Sequence, residues 1–219
     1  IDEYEKAADS YRTALSMARK DNKDNLQNIS FDYAQALFML KKYDEADAIY
    51  RQMLREDETD QAAMVGIARN MFERENYSEM FPLLKKCQKL DADYSEVYRF
   101  FAYAYDKLGE TDKAIDNGFT WFEKDEDADL EFLTKIALKH KSYAVAKARE
   151  KVKKSENPAQ WRALLISIYE KACDYELAVK EYDALEAEFG KDAFIYIHRA
   201  ENYSKLGLTE FAIADIEHA

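Results

Sequence analysis

The ten residues KKYDEADAIY at 41–50 return in looser form along the whole chain, and this recurrence limits the fold more than any other feature. Tyr43, Ala46, Ile49 and Tyr50 stand three or four apart, the spacing that gathers side chains on one face of an α-helix. The chain opens on a related stretch, IDEYEKAADSY. ENYSEMFPLL (75–84), GETDKAIDNG (109–118), KSYAVAKARE (141–150), CDYELAVKEY (173–182) and GLTEFAIADI (207–216) follow. Aligned on Ala46, these place Ala7, Met80, Ala114, Ala146, Ala178 and Ala212 at one position, at successive intervals of 39, 34, 34, 32, 32 and 34 residues.

The same alignment recovers a first half for each unit. FDYAQALFML (31–40), VGIARNMFER (65–74), RFFAYAYDKL (99–108), EFLTKIALKH (131–140), ALLISIYEKA (163–172) and IHRAENYSKL (197–206) precede the Ala46-type segments. Each unit therefore reads as two helices of about a dozen residues joined by a tight turn, a hairpin that buries its apolar stripe only by stacking on a neighbour. With 5 Gly and 2 Pro in 219 residues there is little material for β-hairpin turns, so the expected class is all-α. Small side chains at Ala34, Ala68, Ala102 and Ala200 let helix axes approach closely. Leu37, Met71, Tyr105, Tyr169 and Tyr203 are expected to fill the space opposite.

The pattern of small, aromatic and small positions resembles the tetratricopeptide repeat family, most closely in YAQALFMLKKYDEADAIY and FFAYAYDKLGETDKAI. The resemblance covers nearly all of 1–219 as a single repeat domain: a partial unit over 1–20, then units near 27–60, 61–94, 95–126, 127–158, 159–192 and 193–219. It implies an α-solenoid of about six and a half repeats forming a right-handed superhelix, its concave face lined by first helices. Several departures stand out. Pro158 alone occupies the proline position that ends second helices in the family. The 127–158 unit has Thr134 and Ala137 at its small and large positions and Glu150 and Lys153 where apolar residues pack, so it is expected to be the least stable. Pro82 falls inside a second helix and predicts a kink or local break.

The resemblance implies a protein-interaction scaffold that takes a partner polypeptide in its concave groove. The register puts Phe31, Gln35 and Phe38 on that face, then Val65, Arg69 and Phe72, then Arg99 and Tyr103. Phe38 and Phe72 each follow a core position by one residue and so turn about 100° away from it. Aromatics beside Arg69, Arg99 and Tyr103 have the composition of a binding hot spot. Replacing both Phe38 and Phe72 by Ala is expected to weaken partner capture with little change in thermal stability; packing against neighbouring first helices is the competing expectation. Phe31, Gln35, Arg69, Glu96 and Phe100 do not match the family's Lys, Asn and Arg set for a C-terminal carboxylate.

A second candidate is electrostatic. Residues 131–160 hold eight Lys and Arg against three Asp and Glu in a chain of net charge -12. Lys135, Lys139, Lys141, Lys147, Arg149 and Lys151 are thus a candidate patch for an acidic partner, set against the plainer reading of a solvated helix pair.

The acidic balance argues against a nucleic-acid partner, which is bound chiefly through Lys and Arg. No segment approaches the roughly 20 apolar residues that span a bilayer. His140, His198 and His218 have no ligand-like spacing, and no phosphate loop, nucleophile elbow or zinc-protease motif occurs, so neither catalysis nor a metal or cofactor is expected. Cys87 and Cys173 lie 86 residues apart and read as free thiols, which leans toward a reducing compartment, although exported proteins also lack disulfides. Because the chain begins at Ile1, within a repeat, a removed signal, lipid anchor or further repeats are expected upstream. Two other readings stay open: a regulatory or targeting arm of a larger enzyme, and self-association through array ends without a polar cap.

Overall fold

The computed structural model describes residues 2–17 and 23–219, which form 13 α-helices. They are α1 (Asp2–Met17), α2 (Lys23–Met39), α3 (Tyr43–Glu56), α4 (Gln61–Glu73), α5 (Tyr77–Leu90), α6 (Ser95–Lys107), α7 (Thr111–Lys124), α8 (Leu130–Lys139), α9 (Lys141–Lys154), α10 (Pro158–Lys171), α11 (Tyr175–Phe189), α12 (Ala193–Lys205) and α13 (Thr209–His218). From α2 onward, α2 packs on α3, α4 on α5, α8 on α9, α10 on α11 and α12 on α13 as helix hairpins. Ile1 and the end of the partial first unit, 18–20, lie outside the described residues.

Side chains set where first helices begin. Asp60, Asp129, Asn157 and Asp192 occupy N-cap positions and accept from the backbone N–H of Ala63, Phe132, Gln160 and Phe194. Each satisfies one of the donors that a helix start leaves unpaired. Pro158 takes the first helical position of α10, where its missing N–H and fixed φ cost nothing.

The turns inside the hairpins are equally regular. Lys41, Glu75, Gly109, Cys173 and Gly207 all have φ between 56° and 74°. The residue after the turn donates back across it: Lys42 N to Leu37 O (2.9 Å), Asn76 N to Met71 O (2.9 Å), Asp174 N to Tyr169 O (2.8 Å) and Leu208 N to Tyr203 O (2.9 Å). This is the Schellman closure, in which a left-handed residue lets the last carbonyls of a helix be satisfied.

One hairpin departs. α8 has 10 residues where α4, α6 and α12 have 13. Its link to α9 is His140 alone, which caps both helices at φ -141°. The shortening changes the register that the sequence suggested. Ala144, the fourth residue of α9 as Ala46 is of α3, is fully buried, and Ala146 is exposed. The interval from Ala114 is thus 30 residues, not 32. In α1, similarly, the buried residue is Ala8 rather than Ala7. The expected break at Pro82 is absent: α5 runs unbroken through it, because one lost backbone bond is outweighed by the burial of Met80, Leu84 and Cys87 on the same helix.

The chain divides into two compact units, Ile1–Leu108 with Thr120–Glu126, and Gly109–Phe119 with Asp127–Ala219. In the first, Ala34, Ala46, Ala63, Ala68, Met80, Leu84 and Val97 are fully buried beside Tyr50, Ile67 and Phe101. Gly66 makes room for Tyr50: a Cβ there would stand 2.6 and 2.7 Å from the ring's Cε2 and Cε1. Phe81 stacks on Phe101 and Tyr105, with ring centroids 5.8 and 4.9 Å away. Cys87 is buried and its thiol is pushed up to about 11 by desolvation, whereas Cys173 is exposed; neither is in a disulfide.

In the second unit Trp161 meets Phe119 edge-to-face at 5.3 Å, and Leu133, Ile136, Leu164, Leu165 and Ile168 are fully buried. α9 buries two alanines, Ala144 and Ala148. Arg199 ties α12 to α13: its Nε and Nη2 donate to the two oxygens of Asp215, each at 2.8 Å, and Nη1 donates to Asp183 and Glu186.

Candidate partner-binding clefts

The first unit carries a cleft of about 240 Å³ between α2, α4 and α6. Phe31 and Gln35 line it from α2, Val65 and Arg69 from α4, and Arg99 from α6. These are five of the eight residues that the repeat register placed on one face. Gln35 and Arg69 occupy equivalent places one repeat apart, and Arg69 Nη2 donates to Gln35 Oε1. The same nitrogen reaches the Tyr50 hydroxyl at 3.3 Å, so the guanidinium is held from below by the ring that Gly66 admits. Arg99 pairs with Glu96 and lies over the ring of Phe100, 5.1 Å from its centroid. Burial raises the Glu96 carboxyl above its usual range, with Arg99 opposing the shift. The Nε–H groups of Arg69 and Arg99 have no acceptor among the described residues.

The other three face residues are engaged inside the protein. Phe38 lies under the Arg69 guanidinium at 3.9 Å and 5.5 Å from Tyr43. Phe72 packs on Tyr77, Phe100 and Tyr103 at 5.9–6.3 Å. Tyr103 also meets Trp121 edge-on at 5.9 Å. Tyr94, Ala62 and Gly66 complete the cleft wall and were not singled out by the sequence. Their common signal is position: Tyr94 is the N-cap residue of α6, and Ala62 and Gly66 are small residues a turn apart on α4.

The second unit carries a larger cleft, about 780 Å³, between α8 and α10. Lys135 and Lys139 of the basic patch line it with Lys171 and Glu131. Leu130 and Leu138 supply the apolar part. Thr134 Oγ1 and Ser167 Oγ bond each other at 2.8 Å across the floor. The remaining patch residues do not join this site. Lys141 pairs with Asp174 at 2.7 Å, and Lys147 pairs with Asp116. Desolvation of Lys147 lowers its pKa, but the bonds to Asp116 and Tyr143 prevail and its pKa is raised. Arg149 and Lys151 lie over the rings of Tyr169 and Trp161 at 5.8 and 5.7 Å. The six cations are therefore two groups: α8 lysines at a cleft and α9 cations with partners on their own unit.

No family model matches the chain. Among solved structures, the chain is similar to pilF of Pseudomonas aeruginosa (13% identity over 89% of this chain and 90% of that one, TM-score 0.52). It is also similar to a chain of the APC/C hetero-tetramer Cut9–Hcn1 (16% identity over 98% of this chain and 44% of that one, TM-score 0.52). A third is a tetratricopeptide repeat protein from Parabacteroides merdae (16% identity over 87% and 77%, TM-score 0.46). The fold is that of the tetratricopeptide repeats. Within the tetratricopeptide-repeat fold, both clefts lie on first helices, α2, α4 and α6 in one unit and α8 and α10 in the other. Among the described residues no group of three or more His, Cys, Asp or Glu is arranged to hold a metal ion, and no helix is long and apolar enough to cross a membrane.

Proposed function

We propose that this chain is a non-catalytic protein-interaction array that holds a segment of a partner polypeptide on its first helices, with Arg69 and Arg99 as the anchoring groups. One observation carries this reading: two half-buried guanidinium groups stand at one cleft beside aromatic side chains. A guanidinium that lines a cleft offers several N–H donors, and backbone carbonyls of a bound segment are acceptors for them. Phe31 and Phe100 flank the site and offer apolar surface to the same segment. Phe38, Phe72 and Tyr103 serve this site by buttressing Arg69 and α6.

The test is a partner captured by the wild-type chain and then titrated as a purified component. Arg69→Met with Arg99→Met keeps the aliphatic stems and removes the donors. Affinity falls by about tenfold or more per lost buried charge-assisted contact, while the far-ultraviolet spectrum and melting curve stay in place. Unchanged affinity in a folded double variant overturns the proposal.

Self-association has an observation of its own. Phe194, Ile197, Phe211, Ile213 and Ile216, on α12 and α13, are 42–63% exposed, an apolar surface of the kind that pairs with another. A concentration-independent monomer mass in solution would remove that second reading.

A further inference from the structure

The geometry points to a second binding site, the α8–α10 cleft, built for a peptide segment in which acidic residues alternate with leucine-sized ones. This deepens the interaction-array reading and rests on it only in taking the ligand to be a polypeptide.

The electrostatic part of the case comes from what the other cations are doing. On α9, Lys141 and Lys147 are neutralised by Asp174 and Asp116, and Lys154 by Glu150. At the cleft Lys135 and Lys171 stand with one carboxylate, Glu131. Among the described residues Lys135 and Lys171 have no ion pair. A local positive excess on a chain of net charge -12 attracts carboxylates. Two ammonium groups on flexible stems suit separated carboxylates more than one planar group, which favours a string of Asp and Glu side chains.

The apolar part comes from the floor. The hydroxyls of Thr134 and Ser167 bond each other, which uses one of their two O–H donors, and Leu130 and Leu138 line the same cleft with apolar surface. Leu138, 37% exposed, and Leu130 extend that surface. A volume of about 780 Å³ falls within the range of sites that enclose a ligand's side chains. A fully hydrated polyanion, such as a phosphate chain, gains nothing from such a floor; a peptide with leucines between its carboxylates does.

The test uses the full chain and a capped, fluorescent peptide, Glu-Leu-Glu-Asp-Leu-Leu-Glu-Asp, followed by anisotropy. Two control peptides replace every leucine by serine or every acid by glutamine. We expect saturable binding that weakens as salt rises, and loss of about tenfold or more with either control peptide. Lys135→Glu with Lys171→Glu, both on the surface, is expected to abolish binding, and Lys135→Gln to weaken it in the same direction. Arg69→Met with Arg99→Met leaves it unchanged, which separates this site from the first cleft. The inference is overturned by no saturable binding to the wild type, by equal binding of the serine peptide, or by a charge-reversed variant of native helicity that binds as well as the wild type. Competition by inorganic polyphosphate as strong as by the unlabelled peptide would overturn it as well, since the site would then read charge alone.

Discussion

The ring of Tyr50 fills the space in front of Gly66 that any side chain at that position would need. Tyr50 is fully buried, and burial raises its hydroxyl's pKa while the hydroxyl accepts from Arg69. In an exposed helix interior, Gly→Ala stabilises by about 1 kcal/mol. Here the sign reverses. Gly66→Ala is expected to cost about 1–3 kcal/mol through overpacking. Urea unfolding checks it, and adding Tyr50→Leu to Gly66→Ala should return part of the loss.

The repeated left-handed turn gives a prediction of opposite sign. Lys41 and Glu75 adopt φ values of 59° and 56°, a conformation that costs an L-residue roughly 1–2 kcal/mol. Glycine removes that strain but adds about 0.4–1 kcal/mol of chain entropy to the unfolded state. Lys41→Gly and Glu75→Gly should each stabilise by about 0.5–1 kcal/mol, whereas His140→Gly, with no left-handed residue to relieve, should not. Melting temperatures of the three variants decide it.

Arg199 and Asp215 are both about nine-tenths buried and bonded through two nitrogens and two oxygens. Arg199→Met leaves a carboxylate buried without its counter-charge and is expected to cost about 3–5 kcal/mol. Arg199→Met with Asp215→Leu should recover most of this, because the cost lies in the stranded charge more than in the lost bond. Denaturant midpoints of the single and double variants report the difference.

Acid should act on the same end of the second unit. The hydroxyl of Tyr196 and then the guanidinium of Arg199 hold the Glu186 carboxyl below its usual range. The folded state therefore prefers the ionised form. Its contribution to stability is present above the unfolded value of about 4.3 and is lost as pH falls below it toward the lower folded value. Stability measured from pH 6 downward should drop over that window, and Glu186→Gln should flatten the drop.

Phe72 tests the limits of reading a face from spacing. Its contacts with Phe100 and Tyr103 make it a packing residue on the flank of the cleft. Phe72→Ala is expected to cost about 2 kcal/mol, less than a fully buried Phe. Thermal melting checks this, and an unchanged transition would return Phe72 to the free surface that the sequence suggested.

The hairpins were legible because period and apolar spacing are local properties that every unit repeats. Gln35, Val65 and Arg69 followed from the same arithmetic, since equivalent residues of adjacent first helices meet. Position along a helix, however, does not say what a side chain will touch. Phe38 and Phe72 leave the core by one residue, yet the next first helix takes them up, with Arg69 over one and Phe100 against the other. Ala146 misled because lysines and alanines along α9 support two registers about equally, and the shortened turn at His140 chooses Ala144. The apolar part of the larger cleft was hidden for another reason: Leu130 and Leu138 read as ordinary helix residues until α8 and α10 are seen to bring them to one cleft with Thr134 and Ser167.

The contrast between the two cysteines makes the native chain ready for site-selective chemistry. A thiol-directed dye at neutral pH meets the exposed sulfur of Cys173, while that of Cys87 is shut inside the core with its proton held tightly. Cys173 follows Lys171 by two residues, so a single fluorophore installed without mutagenesis would sit beside the lysine-rimmed cleft and signal its occupation directly.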